Sequence, residues 1–372
     1  MSLNQLKKSK YRNYLFLLYF LVFHVSYIYS QNSKINTYNK KLVSNNNFSY
    51  QKIKNFSKSN NTYNFMALGY FINANNNMYI KTGDVKYLDN NLNIIKPILV
   101  DNSVSNYKYN NWKMNVPSSN QNAVVNGQEH LISEGYFFRY VGEFLDIICQ
   151  KDIYTNYHTT ILDGLKYSFT KWRERSFEKY NDYSLLFHQR LHTGANWAIV
   201  ALYLNKYDTN NTNDYKTFIN QFDDQLAKAL TLKSEYGNQY YIWNSTYPEK
   251  FCAALKNIKN YKPVIQDVSH GNHVVLYLLK TKELSNPNWK NFNFEYLINT
   301  LKLKILKNSS ITDNVDGSTT PSVKNTGWKV SDGWYKLIYK DQNLKPLFDK
   351  SLNSYQKNIS NSSLELQFNS IY

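Results

Sequence analysis

From Phe65 onward the apolar residues of this chain fall at helical rather than alternating spacing. Phe65, Leu68, Phe71 and Ile72 share one face, and Met78-Tyr79-Ile80 carries it on to a break at Gly83-Asp84. A second stripe, Leu88, Leu92, Ile95 and Leu99, lies within Tyr87–Val100, where Pro97 is expected to end the helix early. The two make a helical hairpin. A loop-like stretch follows over 101–128, with Trp112 and Pro117 as its anchors. Phe137, Val141, Phe144, Leu145 and Ile148 then mark one face of a long helix from Gln128 to Gln150. The same periodicity predicts helices over Asp152–Glu178, Asp182–Leu204, Tyr215–Leu232, Asp267–Leu279, Phe294–Leu306, Trp328–Tyr339 and Leu344–Tyr355. Tyr240-Tyr241-Ile242-Trp243 is short, aromatic and strand-like. No segment repeats at a fixed period, which argues against solenoids of the TPR or HEAT type. The expected fold is all-α: an (α/α) toroid, or barrel, of helical hairpins with few short strands, occupying residues 63–358.

The two ends of the chain break this pattern. Lys7, Lys8, Lys10 and Arg12 precede a nearly unbroken apolar run, Tyr14–Ser30. Charge, apolar core and then polar chain is the layout of an export signal, so residues 1–30 read as a signal peptide, with an uncleaved N-terminal anchor as the competitor. Either way the body is expected outside the cytoplasm, secreted or periplasmic, and it meets a membrane only if the leader is retained. Residues 31–62 are rich in Asn, Ser and Lys and read as a flexible lead-in; residues 359–372 read as a polar, frayed tail.

Composition adds two points. The formal charge is +17, and removing the four leader cations leaves +13. A basic surface favours anionic partners. Its cations are scattered rather than blocked, so nucleic acid is not expected, while an anionic polysaccharide or oligosaccharide and a membrane surface both stay open. Tyrosine is in excess, 34 against 20 Phe and 7 Trp. AT-rich coding is one reading of this excess, given the accompanying Asn, Lys and Ile, and a role in half-wet clefts, which tyrosine suits, is the other. The two cysteines, Cys149 and Cys252, lie in apolar surroundings, which leaves a disulfide and two buried thiols both open.

Four helix starts carry more polar chemistry than packing needs. They are Glu129-His130 through Ser133-Glu134-Gly135-Tyr136 to Arg139; His188-Gln189-Arg190-Leu191-His192-Thr193-Gly194-Ala195-Asn196-Trp197; Asp267-Val268-Ser269-His270-Gly271-Asn272-His273; and Asn325-Thr326-Gly327-Trp328 with Ser331-Asp332-Gly333-Trp334. The second and third share one plan: His, then Gly, then Asn or His, then a long apolar helix body. Helix starts offer unpaired N–H groups to an anion. Asp267 or Ser269 also suits an N-cap, and a cap can line a site. Asp267, His270 and His273 are spaced compatibly with a cation, but no familiar zinc signature accompanies them; no metal and no cofactor is expected.

Asp267-Val268-Ser269-His270-Gly271-Asn272-His273 ahead of an apolar helix, preceded by Tyr240-Tyr241-Ile242-Trp243-Asn244-Ser245-Thr246-Tyr247-Pro248, resembles secreted (α/α)-toroid polysaccharide lyases of the glucuronan and alginate type. The resemblance spans about Gly127 to Gly333. It implies β-elimination at a uronic acid: the carboxylate is neutralised, the C5 proton is removed, and the leaving O4 is protonated. On that basis Asn196 and Arg190 are the expected neutralisers, His192 or His270 the base, and Tyr247 the acid. Asp267 orients a histidine, Tyr241 and Trp243 stack on sugar rings, and Glu134, Tyr136, Arg139 and His273 complete the substrate-binding set. Two other function classes stay open. A glycoside hydrolase on the same scaffold needs two carboxylates, for which Glu134, Asp267 and Asp332 are the candidates. A non-catalytic glycan-binding surface protein needs no titratable groups at all.

Overall fold

The computed structural model describes residues 32–59, 61–100, 103–104, 108–109, 112–117, 126–319 and 326–371. The proposed leader, residues 1–30, lies outside them. The described residues are mostly helical, 65% helix against 7% strand, and therefore all-α in class. Among the described residues no helix is long and apolar enough to cross a membrane.

The predicted hairpin is α3 (Phe65–Thr82) and α4 (Lys86–Leu99). Gly83 ends α3 in the left-handed region, φ 71°, and its N–H returns to the Tyr79 carbonyl at 2.7 Å. Pro97 does not end α4 early: the helix runs on to Leu99, with Ile98 and Leu99 buried. Next come α5 (Leu131–Gln150), α6 (Thr155–Tyr180), α8 (Leu191–Tyr207), α9 (Thr212–Ala229), the single turn α10 (Ala253–Lys256), α11 (Val268–Glu283), α12 (Glu295–Thr300) and α13 (Leu344–Leu352). The whole predicted stripe of α5, Phe137 to Ile148, is buried.

Three helices differ from their predicted spans. Asp182–Leu204 is not continuous: a single turn, α7 (Ser184–Phe187), stops at His188, whose φ of 54° breaks the helical path before α8 begins. The end of Tyr215–Leu232 leaves the helix and becomes β3 (Thr231–Glu235), paired antiparallel with β4 (Asn238–Ile242), which holds most of the predicted strand. Trp328–Tyr339 is helical only over Trp334–Tyr339, as a 3₁₀ segment. Two further antiparallel pairs are minimal: β1 (Ser103–Val104) with β2 (Lys108–Tyr109), and β5 (Leu306–Lys307) with β6 (Ser310–Ile311).

Both chain ends also depart from expectation. The lead-in is not flexible chain. Residues 32–44 form a helix, α1, and Tyr50–Ser57 form α2. Tyr38 and Ile53 are buried, and the Tyr38 hydroxyl donates to Asn75 Oδ1 at 3.1 Å. The tail is likewise ordered. It contributes α14 (Gln356–Ser360) and α15 (Glu365–Ile371), and α15 lies on α3 with Leu366, Gln367 and Ile371 buried. Isolated apolar residues in polar sequence carried these contacts, and periodicity does not register them. Cys149 and Cys252 are both free thiols.

Four helices run side by side in one direction. Gly69 of α3 lies against the Tyr136 carbonyl of α5, where a Cβ would sit 2.5 Å from that oxygen, so only glycine permits this approach. One and two turns on, Asn73 and Asn76 reach Glu143 of the same helix. Between α5 and α8, Gly135 faces Asn196 and Trp197 at the start, and Asp146 takes Tyr207 at the end. Arg139 meets His273 and Glu143 meets Lys280, which aligns α11 with α5. Helices α4, α6 and α9 pack on α3, α5 and α8 as the return strokes. The N-termini of α5, α8 and α11 therefore gather at one end.

Candidate functional site

The local sequence sets these three helix starts. At α11, Asp267 is the N-cap: its carboxylate accepts from the His270 amide at 2.9 Å and from Ser269 Oγ at 2.7 Å. The same carboxylate holds His270 Nδ1 at 2.9 Å from either oxygen. The cap thus also orients a histidine. Burial opposes the charge on Asp267, yet the hydrogen bond from His270 holds its carboxyl well below the usual carboxylate range. At α5 the cap is His130, whose ring accepts from the Ser133 amide. At α8, Leu191 N–H is fixed by the Ser245 carbonyl at 2.8 Å, and Arg190 Nη1 donates to Ser245 Oγ at 2.6 Å.

The starts of α8 and α11 meet through their histidines. The His192 and His270 rings stack with centroids 4.3 Å apart and planes 28° apart, and His273 lies 6.3 Å from His192. His270 keeps 47% of its side chain exposed, so this is the face that opens to solvent. His192 is half-buried. Burial, then the neighbouring His270, push its imidazole well below the usual histidine range.

Beneath the stacked pair lies a buried polar network. Tyr136 Oη is 2.6 Å from His273 Nε2. His273 Nδ1 is 2.7 Å from Asp332 Oδ2 and 2.8 Å from Arg139 Nη1. Arg139 also donates to Asn196 Oδ1 at 2.7 Å and pairs with Asp332 Oδ2 at 2.7 Å through Nη2. Its guanidinium sits 4.8 Å from the Tyr136 ring centroid. Arg139 and Asp332 are fully enclosed, with side-chain exposures of 0% and 1%. Burial, and after it Arg139, hold the His273 imidazole well below the usual range, so it is neutral near pH 7. Burial pushes the Tyr136 phenol upward.

The loop carrying Asp332 is seated by close backbone approach. A Cβ on Gly333 would lie 2.2 Å from the Asn272 carbonyl oxygen. Asn272 Oδ1 accepts from the Gly333 and Trp334 amides at 2.6 and 2.9 Å. That clamp brings Asp332 to α11.

Several donors in the network are left over, Arg139 Nε among them. Asn196 spends its oxygen on Arg139, which fixes Nδ2 as the donor end, and that buried nitrogen has no hydrogen-bond partner. His192 Nδ1 is also buried without a partner. Buried polar atoms are seldom left unpaired, and each exception calls for a partner such as a water, an ion or a ligand.

Of the predicted residues, the structure thus brings together His192, Asn196, His270, Asp267, His273, Tyr136 and Arg139, with Arg190 at the rim. Four do not join them in the expected way. Tyr247 is buried, donates to the Phe187 carbonyl at 2.9 Å and packs on Phe251; Gly194 leaves room for its hydroxyl. Trp243 is buried and stacks on Trp334 at 5.7 Å, so its face is not offered to a sugar. Tyr241 is half-buried, with one face on Phe292 at 5.6 Å. Glu134 is fully buried and consumed by Lys171 at 2.7 Å, Ser168 and Trp172 at 3.0 Å, an α5–α6 packing contact. Each carries a polar or aromatic group whose local sequence looks functional, but whose partner comes from a distant element. Among the described residues no group of three His, Cys, Asp or Glu is arranged to hold a metal ion.

No family model matches this chain, and no curated protein sequence matches it.

Proposed function

We propose that this protein is an exported polysaccharide lyase with an (α/α)-toroid fold, acting on a uronate-containing polymer by β-elimination. The fold reading is supported by the ring of neighbours: α3 on α5, α5 on α8, α8 on α11, the 334–339 turn on α11 and on α15, and α15 back on α3. The observation that carries the chemistry is the Tyr136–His273–Asp332 file, 2.6 and 2.7 Å per step, beside a buried amide donor at Asn196.

The roles follow from donor and acceptor logic. Asn196 Nδ2, with Arg190 at the rim and the gathered helix N-termini, takes the substrate carboxylate and makes the C5 proton acidic. We assign the proton transfers to Tyr136 rather than to His192, His270 or Tyr247. With Asp332 as the partner of Nδ1, that nitrogen carries the His273 proton and Nε2 accepts from the Tyr136 hydroxyl. The C5 proton passes to Tyr136 Oη as the phenol proton passes to His273 Nε2. The C5–H pair becomes the C4=C5 bond, and the C4–O4 pair leaves on O4. Tyr136 then delivers a proton to O4 while recovering its own from Nε2. The site returns to its starting state, and the transient imidazolium faces Asp332, by the same logic as other acid-oriented histidines. His192 and His270 remain as the half-exposed surface against which the sugar lies.

The hydrolase alternative is weaker on these contacts. Glu134, Asp267 and Asp332 are each committed to a cation or histidine, and Glu134 and Asp332 are enclosed. The test is a panel of uronate polymers, glucuronan and alginate among them, incubated with the mature protein and followed by ultraviolet absorbance of unsaturated ends. Absorbance growth on one polymer is expected. Reducing ends released without absorbance would replace the lyase reading with hydrolysis.

A further inference from the structure

The buried polar groups do not stop at Asp332. Gln367, on the C-terminal helix α15, has no exposed surface, and its amide is hydrogen-bonded at both ends. Its Oε1 accepts from Ser331 Oγ at 2.8 Å. Its Nε2 donates to Asn73 Oδ1 at 3.0 Å and reaches Tyr140 Oη at 3.3 Å and Asp332 Oδ1 at 3.4 Å. Beyond Asn73 the file continues: Asn73 Nδ2 donates to Glu143 Oε2 at 2.7 Å, and Lys280 closes on the other oxygen of Glu143. An amide this deep is costly unless satisfied, and a satisfied one holds its partners at fixed positions.

What Gln367 holds is Asp332, and there the geometry is balanced. His273 Nδ1 has an acceptor, Asp332 Oδ2, at 2.7 Å and a donor, Arg139 Nη1, at 2.8 Å. It can satisfy only one. With a proton on Nδ1 it serves Asp332, and Nε2 accepts from Tyr136. With Nδ1 bare it serves Arg139, and Nε2 donates to Tyr136, which removes the proton acceptor behind the phenol. Anything that keeps the carboxylate close favours the first state.

We propose that Gln367 is a positioning residue of this site: it holds Asp332 against His273, and so keeps the imidazole in the tautomer that accepts the Tyr136 proton. The catalytic consequence rests on the lyase reading above, whereas the tautomer itself does not.

The experiment uses full-length protein labelled with ¹⁵N-histidine, with the His273 signals identified by their loss in His273→Asn. In the wild type, Nδ1 is expected to show the protonated, pyrrole-type shift and Nε2 the bare one. Gln367→Met keeps the volume and removes the amide. It is expected to move His273 toward the opposite pattern while the His192 and His270 signals stay nearer their original positions. A folded variant with unchanged His273 shifts overturns the proposal, as does a wild-type His273 with Nδ1 bare. Should Gln367→Met fail to fold, Ser331→Ala decides in the same way: it removes only the donor to Gln367 Oε1, and a smaller movement in the same direction is required. On a polymer that the wild type cleaves, Gln367→Met is expected to lower kcat about tenfold with KM within about twofold. If the wild type cleaves no uronate polymer, the lyase reading fails, and the imidazole shifts still settle the positioning.

Discussion

Replacing Asp332 by Asn tests the buried centre of this site directly. The substitution preserves shape and removes one charge. Arg139 then keeps a full positive charge at 0% side-chain exposure among neutral groups, the Asn196 oxygen, His273 and the Tyr70, Tyr136 and Tyr140 rings, without its paired carboxylate. Breaking one half of an enclosed ion pair costs about 3–5 kcal/mol, because the remaining ion has lost both water and counter-charge. Whole domains are stable by about 5–15 kcal/mol, so the loss is large enough to read by urea denaturation at low temperature. Arg139→Met should cost a similar amount by leaving the carboxylate bare. The double variant D332N/R139M leaves no unpaired charge, so its loss should fall short of the sum of the singles by about 2 kcal/mol or more. Activity should respond more sharply than stability: removing the carboxylate that orients a relay histidine costs on the order of 10³–10⁴-fold in kcat in enzymes of that type. A D332N loss under about 1 kcal/mol, or a double variant additive within about 0.5 kcal/mol, would refute the claim that Asp332 neutralises Arg139.

Three further outcomes are expected. Burial pushes the Glu143 carboxyl up, but Lys280, Lys336 and Asn76 together hold it at about 2, below its ordinary 4.5; this depressed value contributes stability above about pH 4.5 that is lost as pH falls toward 2, about 3 kcal/mol in all, and Glu143→Gln should flatten that part of an acid-denaturation profile. Asp267→Ala removes the α11 cap and should cost about 1 kcal/mol in thermal or urea unfolding; the half-exposed His270 pair adds little to this, so restoration by Asp267→Asn or Asp267→Ser should be nearly complete. Tyr247→Phe should lose about 1 kcal/mol for its bond to Phe187 and leave turnover within about twofold, while Tyr136→Phe should lower kcat at least about 10²-fold; equal losses in the two would return the proton-transfer role to Tyr247.

The helical class and most long helices were legible because apolar spacing over about a dozen residues, as in Phe137 to Ile148, has one physical solution. Breaks were less legible. His188 interrupts a helical pattern only through its own backbone conformation, which no spacing reveals. The chain ends misled for a compositional reason. Asn, Ser and Lys usually mark solvated chain, but here scattered apolar residues such as Tyr38, Ile53, Leu366 and Ile371 carry the packing.

The site divides along the same line. Polar groups that act within their own helix start were readable: Asp267 caps α11 and orients His270 three residues on, a local relation that sequence contains. The matched plan of the second and third helix starts also places His192 and Asn196 with His270 and His273. Groups whose meaning depends on a distant partner were not readable. Tyr247 and Glu134 carry plausible chemistry, but their partners, Phe187 and Lys171, turn them into packing contacts. Tyr136 and Asp332 run the other way: the first was a lining residue and the second a spare carboxylate until His273 joined them. Gln367 is the extreme case. An isolated glutamine in a polar C-terminal stretch looks solvated, and only the closure of α15 onto α3 buries it beside Asp332. A buried polar residue is explained by the geometry of everything around it, so the part of a site built from such residues is the last to be visible in sequence and the most sensitive to single substitutions.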